Sequence, residues 1–316
     1  MMKRLITALY FINTLIGFSQ ESKKAFIPDI IKQFPNIRDI AISPDGNEIL
    51  FSAQSIMGTI STIISIKKEN GLWNNPQIAS FSGQYFDLEP FFSPDGLKIY
   101  FASNRPIDNA STSIKDFDIW YLEYDTVNKD WLEPKNLGSP INTQYDEFYP
   151  SIASNGNLYF TRDNTSLKSK DDIYFSEFKN SEYKEPVVLP NAINSDGYEY
   201  NAFIAPDESF LIYGCYNRDG GFGSGDLFIS FHTETGWTSA KNLGGHINSD
   251  KMDYCPYVDI KTNTLYFTSR LDNTITKFER PLTINELLEE LNKYDNGLSR
   301  LYSISIETIL KNKITN

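Results

Sequence analysis

The chain has 316 residues, 14% of them aromatic with 19 Tyr and 22 Phe, and a formal net charge of −12. Nucleic-acid binding is excluded as an expectation, because phosphate neutralisation needs a basic stripe and none occurs. The acidic balance keeps a protein soluble and can attract cations or basic partners.

Lys3 and Arg4 precede an apolar stretch from Leu5 to Phe18, and Gly17-Phe18-Ser19 offers small residues for cleavage. This reads as a secretory signal peptide over residues 1–19, leaving 20–316 as a single mature domain. Asn13 and Thr14 interrupt the stretch, and no later run is apolar for long enough, so no transmembrane anchor is expected. No Cys near the cleavage point supports a lipid anchor. The predicted location is the periplasm or the medium.

From residue 36 one phrase recurs. Asp39-Ile40-Ala41-Ile42-Ser43-Pro44-Asp45-Gly46 returns as Glu89-Pro90-Phe91-Phe92-Ser93-Pro94-Asp95-Gly96, and then, less closely, from Tyr149, Tyr200 and Cys255. Aligned on Ile40, Pro90, Pro150, Asn201 and Pro256, the spacings are 50, 60, 51 and 55 residues. A period of roughly 40–50 residues with several short strands per unit is the signature of a β-propeller.

Within a unit, Ser-Pro-Asp-Gly gives a type I turn between two strands. The return strand is apolar throughout, as in Ile99-Tyr100-Phe101 and Leu158-Tyr159-Phe160, which fits burial on both faces. Asp118-Ile119-Trp120-Tyr121 and its counterparts at Asp172 and Asp226 form a third strand. Trp131 to Leu137, Tyr183 to Leu189 and Trp237 to Leu243 supply a fourth, where Pro is tolerated at a free edge. Ile141-Asn142-Thr143, Ile193-Asn194-Ser195 and Ile247-Asn248-Ser249 then lead into the next unit.

The fifth unit changes character after Arg270. Thr283-x-x-Glu286 is a capping box that opens a helical insertion over 283–294, which Asp295-Asn296-Gly297 stops. Leu301 to Ile306 resumes as the third strand. The missing fourth strand is expected from the N-terminal end, around Ile27 to Phe34. The predicted fold is all-β: a five-bladed propeller of four-stranded antiparallel blades closed by strands from both termini, with six blades as the alternative.

These Ser-Pro-Asp-Gly turns, Tyr-Phe strands, Asp-Ile-Trp/Tyr strands and Asn-Leu-Gly…Ile-Asn-Ser/Thr tails resemble the WD-like β-propeller repeats of TolB-type bacterial envelope proteins. The resemblance covers about residues 36–273. It implies a scaffold or interaction module, with an envelope or extracellular protein or a glycan as partner, acting as a monomer. The chain departs from true WD repeats, which carry a Gly-His and a Trp-Asp pair per blade, since it has only two His.

Candidate site residues fall on one face, where loops from strand four to strand one meet loops from strand two to strand three. The first set carries Asp87, Glu89, Asp146, Glu147, Glu199 and Asp253; the second carries Arg105, Arg162, Arg218 and Arg270. Because the pattern recurs, its first role is to pair across seams and fix register. A ligand rim of Arg105, Arg162, Arg218, Arg270, Glu89, Glu147, Glu199 and Asp253 is the functional reading. The first unit has Ala53-Gln54 in place of its Arg, so the ring is asymmetric. The loops 104–117, 162–171 and 216–226 vary most in length and are the expected partner contacts.

No catalytic residue, metal site or cofactor is assigned. His232 and His246 lack a paired spacing, and the glycine-rich run from Gly220 to Gly225 has no following Lys-Ser/Thr, so it reads as a flexible connection. Cys215 and Cys255 read as two separate buried thiols, with an inter-blade disulfide as the alternative. The competing functional class is a glycoside hydrolase, using Glu89, Glu147, Glu199 or Asp253 as channel-facing acid and base.

Overall fold

The structure, a computed structural model, describes residues 22–107, 115–166, 171–216 and 218–311. The leader read over 1–19 lies outside them, as do parts of the loops 104–117, 162–171 and 216–226.

The Ser-Pro-Asp-Gly words fold as their chemistry dictates. Ser93 Oγ donates to Asp95 Oδ1 at 2.6 Å, and the same Oδ1 accepts the Leu97 amide at 3.0 Å. The Gly96 amide donates to the Ser93 carbonyl at 2.8 Å with φ at +73°. Glycine takes that left-handed φ without penalty.

Each turn joins the two inner strands of a blade. In blade two these are Asp87–Phe92 and Lys98–Ser103, followed by Asp118–Asp125. The fourth position is broken into Asp130–Trp131 and Lys135–Asn136, both paired with the third strand. Pro134 sits in the break, where its missing N–H forfeits no ladder bond. Blades one and four break in the same way, at Leu72–Trp73 with Gln77–Ile78 and at Gly236–Trp237 with Lys241–Asn242. Blade three ends on Val187–Val188 instead.

Five such sheets form the ring. The fifth combines Asp253–Asp259, Thr264–Ser269 and Arg300–Ser305 with Lys24–Ala25 from the other end of the chain. Lys24 lies opposite Ser303 and Ala25 opposite Tyr302. The closing strand therefore precedes the expected 27–34 segment. Ile27 turns at φ +34°, and Pro28–Ile31 is a short helix. Pro28 explains this, since it presets a helical φ at the first turn and offers no amide to a ladder.

The helix Ile284–Leu291 interrupts blade five between its second and third strands, with the Thr283–Glu286 capping box formed in both directions. It stops short of 294. Tyr294 instead leaves the helix, and its hydroxyl donates to the Leu301 carbonyl at 2.8 Å.

The core lies between blades. Phe51, Phe101, Phe160, Tyr213 and Phe267 hold the same place on the second strand of each blade, and all five are 0% exposed. Superposing the repeats also corrects one alignment. Ala205-Pro206-Asp207 matches Ser93-Pro94-Asp95, so Ala202, not Asn201, corresponds to Pro90. Phe160→Ala should lower the unfolding free energy by about 3–5 kcal/mol, the usual penalty for emptying a buried aromatic site. Urea titration of wild type and variant reads this directly, and a loss below 1 kcal/mol would contradict the packing.

Candidate functional site

The inner strand of every blade carries a bulge. Pairing slips between Arg38/Ile40, Leu88/Phe91, Phe148/Ser151, Tyr200/Phe203 and Tyr254/Tyr257. Inside each slip one residue takes a left-handed φ: Asp39, Glu89, Tyr149, Asn201 and Cys255, at 57°, 59°, 50°, 52° and 51°. A non-glycine residue there is strained by about 1–3 kcal/mol, which the surrounding contacts must offset.

The bulge takes a backbone amide out of the ladder, and for Asp39, Glu89, Tyr149 and Asn201 the preceding blade satisfies it. Glu89 N donates to Ser52 Oγ at 3.1 Å, Asn201 N to Thr161 Oγ1 at 3.0 Å and Asp39 N to Thr268 Oγ1 at 3.3 Å. Those hydroxyls each follow the central aromatic of the second strand. Blades two and four have Ala102 and Gly214 at that position. In blade two, Glu89 takes over. The Tyr149 amide, which faces Ala102, donates to Glu89 Oε2 instead, at 2.7 Å.

Glu89 is thus drawn into a polar knot on the axis. Its Oε1 accepts Arg38 Nη2 at 2.6 Å and Asn201 Nδ2 at 3.0 Å. Arg38 Nε donates to Asp39 Oδ1 at 2.7 Å, and Arg38 Nη2 also reaches Cys255 Sγ at 3.3 Å. Cys255 Sγ donates to Asn201 Oδ1 at 3.4 Å, and Tyr149 Oη donates to the Pro256 carbonyl at 3.0 Å. All five blades meet here. Burial pushes the Glu89 carboxyl up to about 7, with the Arg38 guanidinium opposing and the Asp39 charge adding to the rise.

The seam residues behave differently. Arg162 Nε donates to Glu147 Oε1 at 2.8 Å and its Nη2 to the Ile141 carbonyl at 2.8 Å. Arg105 pairs with Asp87 at 2.7 Å and Arg218 with Glu199 at 3.3 Å. Thr143 and Ser195 donate both amide and hydroxyl to Glu147 and Glu199, which explains the Ile-Asn-Thr/Ser tails. The tail asparagine clamps the third strand: Asn142 and Asn194 bind the amide and carbonyl of Ile119 and Ile173.

Two of the expected rim residues stand elsewhere. Asp87 is the seam acid of blade two, and Glu89, two residues on, belongs to the axis. Arg270 is exposed and faces Ser299 Oγ at 3.4 Å rather than Asp253. Lys23 takes the arginine's place in blade five, with its Nζ 3.6 Å from Asp253 and donating to the Ile247 carbonyl at 2.9 Å. Blade one lacks the pair altogether, with Ile37 in the acid position and Gln54 near the arginine position.

Cys215 and Cys255 are both free and buried, in different surroundings. The glycine run is not a loose connection. A Cβ on Gly223 would stand 1.7 Å from the Lys251 carbonyl oxygen, and the Ser224 amide donates to that oxygen at 3.0 Å. These glycines let blade four touch blade five.

Above the knot lies a cavity of about 420 Å³. The residue preceding each left-handed position lines it: Arg38, Leu88, Phe148, Tyr200 and Tyr254. Phe117 completes an aromatic wall, 5.5 Å from Phe86 and 5.0 Å from Phe148 between ring centres. Asp163 and Asp171 stand at its margin, and Glu89 and Asn201 at its floor. None of these lining side chains except Glu89 was among the expected rim. Phe117, Asp163 and Asp171 lie in the loops 104–117 and 162–171 expected to make partner contacts; the signal for the five strand residues was the place one residue before the left-handed position, which holds four residue types among five blades.

No protein-family model matches the chain, and no curated protein matches it in sequence. Solved structures do match in shape. The α-L-arabinofuranosidase from Lactobacillus brevis is 14% identical with a TM-score of 0.50, covering 86% of this chain and 93% of that one. The GH43 endo-arabinanase from Bacillus licheniformis is 14% identical with a TM-score of 0.49, covering 85% and 93%. TolB from Acinetobacter baumannii is 18% identical with a TM-score of 0.46, covering 75% of this chain. The chain spans 49% of that TolB chain. At such identities the likeness establishes the propeller fold alone. No family model or sequence match supports membership of a WD-like repeat family.

The seam geometry separates two arginines. At about pH 8, Arg162→Ala should destabilise the protein by about 3–5 kcal/mol, because it strands a buried carboxylate. Arg270→Ala, at an exposed site, should stay within about 0.5 kcal/mol. Equal losses in chemical denaturation would refute the distinction.

A pH dependence follows from Glu89. A carboxyl at about 7 in the folded protein, against 4.5 ordinarily, binds more protons folded than unfolded across that interval. Its contribution is therefore most favourable at low pH and is lost as pH rises through about 7. Glu89→Gln should gain stability relative to wild type between about pH 5 and pH 8, read from denaturation midpoints. A constant difference would mean that Glu89 does not titrate there.

Proposed function

We propose that this chain is an exported, non-catalytic β-propeller serving as an interaction module of the bacterial cell envelope. Its ligand, a protein or a glycan, enters the axial cavity. The observation carrying the non-catalytic part is the full engagement of Glu89: both oxygens are bound by Arg38, Asn201 and the Tyr149 amide. A glycosidase needs an acid and a base facing one another across space for a sugar or a water, about 5–10 Å apart. Glu147, Glu199 and Asp253 are fully buried at their seams beside Arg162, Arg218 and Lys23.

The export part rests on Lys3, Arg4 and the apolar run that follows. Cleavage after Ser19 retains Lys23, which blade five uses as its seam cation. Among the described residues no helix is long and apolar enough to cross a membrane.

A second reading, glycoside hydrolysis, draws on one observation. Glu89 lies at the cavity floor with its carboxyl raised to about 7, a suitable range for a general acid. Aryl arabinofuranosides and a polysaccharide array, assayed beside pull-down from envelope extract, separate the two. The expected outcome is a partner or glycan retained by wild type and lost with Phe117→Ala, without turnover. Hydrolysis abolished by Glu89→Gln would overturn the non-catalytic reading.

A further inference from the structure

We propose that the groove between blades two and three binds a neutral saccharide chain. The site is separate from the axial cavity and stands independently of the reading given to that cavity.

Two adjoining cavities, of about 430 and 370 Å³, form the groove. Lys98, Tyr100, Phe178 and Tyr183 belong to the walls of both. One end lies at the strand-four tail of blade two, beside Ser139 and Pro140. The other reaches the Ser93-Pro94-Asp95 turn, on the face away from the axial cavity. Each volume falls within the range of small-molecule sites, about 300–1,000 Å³, and their continuity suits a chain of sugars rather than a single ring.

The aromatic lining is held in place. Tyr100 and Tyr121 stack across neighbouring strands with ring centres 6.0 Å apart. Phe178 and Tyr183 lie opposite each other on a two-stranded arm, 5.0 Å apart. A Cβ on Gly156 would stand 2.7 Å from Phe178 Cδ1, and the Phe178 amide donates to Asn157 Oδ1 at 2.9 Å. The turn therefore fixes this ring from beneath while it remains 37% exposed. An aromatic surface that is already ordered binds at low entropic cost.

The polar rim selects the class of ligand. Lys98 donates, Glu182 accepts, and the Ser139 and Ser181 hydroxyls do either. Sugar hydroxyls also do both, and the C–H face of a sugar ring covers an aromatic side chain. Proline-rich segments dock in aromatic grooves too, but prolines carry no N–H and offer nothing to Glu182. Lys98 and Glu182 balance in charge along the larger cavity, which favours a neutral ligand.

The other seams show which part of this is particular. Spaces also flank Trp131 between blades one and two. There Glu48 and Ser65 stand in the places of Lys98 and Tyr121, joined at 2.6 Å, with Lys67 and Asp130 beside them. Between blades three and four, Trp237 stands 6.4 Å from Tyr159, whose hydroxyl donates to Glu208 at 2.9 Å. The repeat supplies the space, and Tyr100, Tyr121 and Phe178 supply the aromatic lining.

Isothermal titration of the full mature chain tests this with neutral hexasaccharides of glucose, mannose, xylose and arabinose, and with a proline decapeptide. At least one hexasaccharide should bind. Phe178→Ala and Tyr121→Ala, each shown to fold by circular dichroism, should weaken that binding about five- to tenfold. Glu182→Ala, an exposed change that leaves the rings in place, should weaken it about threefold or more. No binding of any hexasaccharide, or binding indifferent to all three changes, overturns the proposal. So does tighter binding of the proline decapeptide, which would make the groove a peptide site. Sugar binding lost with Phe117→Ala but kept with Phe178→Ala overturns it as well, by moving the saccharide to the axial cavity.

Discussion

A blade of four strands has two apolar faces and can cover neither alone. That requirement governs the rest of the structure, because only a closed ring gives every face a partner. The central aromatics Phe51, Phe101, Phe160, Tyr213 and Phe267 are fully buried only because a neighbouring blade stands on each side. Closure is therefore the step with most at stake, and the chain makes it with residues from both ends. Lys24–Ala25 completes the sheet that Arg300–Ser305 continues, and Lys23 supplies the seam cation that Arg270 does not. Arg300 adds another tie by donating to the Phe34 and Pro35 carbonyls at 3.1 and 2.8 Å. Strand pairing, a seam ion pair and these carbonyl contacts hold the same joint, which no single one would secure.

Closing the ring also concentrates strain at its centre. Five inner strands converge there, and each turns a residue into the left-handed region to bend away from its neighbours. The displaced amides then need acceptors. Ser52, Thr161 and Thr268 meet that need from the adjoining blade, and Ala102 cannot. Glu89 fills the gap in blade two, and its second oxygen gathers Arg38 and Asn201. A buried carboxylate at the heart of a propeller invites a catalytic interpretation. Here its neighbours show a structural employment: it replaces the hydroxyl that blade two lacks at Ala102.

Much of this was legible in the sequence, for a physical reason. Turns, apolar return strands and the Thr283–Glu286 box are local, so their residue types report them directly. Relations between blades are not local. The offset of blade four by one residue is not legible in sequence because the left-handed position holds Asp39, Glu89, Tyr149, Asn201 or Cys255, which share no chemistry. For the same reason Glu89 was grouped with the seam acids when Asp87 is the true member. The missing arginine of blade one is visible as Ala53-Gln54, and Ile37 stands in its partner's position, since loss of one member of a buried pair leaves the other unfavourable. Lys23 could not be read at all, because it lies outside the repeat and acquires its role only when the ends meet.

Where one rule is written five times, individuality has to come from positions the rule leaves open. The seams leave little open, since acid, arginine or lysine, and tail hydroxyl bind one another. The left-handed positions are occupied by the axial knot. The residue just before each of them is free to vary, and it holds Arg38, Leu88, Phe148, Tyr200 and Tyr254. Backbone geometry makes all five face the cavity whatever their side chains are. The bulge that permits closure thus also presents five independently chosen side chains to one point of the surface. Specificity can change there without disturbing a seam or a core aromatic, which is what a binding site on a repeating scaffold requires. Arg38 shows the limit of that freedom: it is the one member of the set that reaches down into the knot, so blade one joins cavity wall and scaffold through a single side chain.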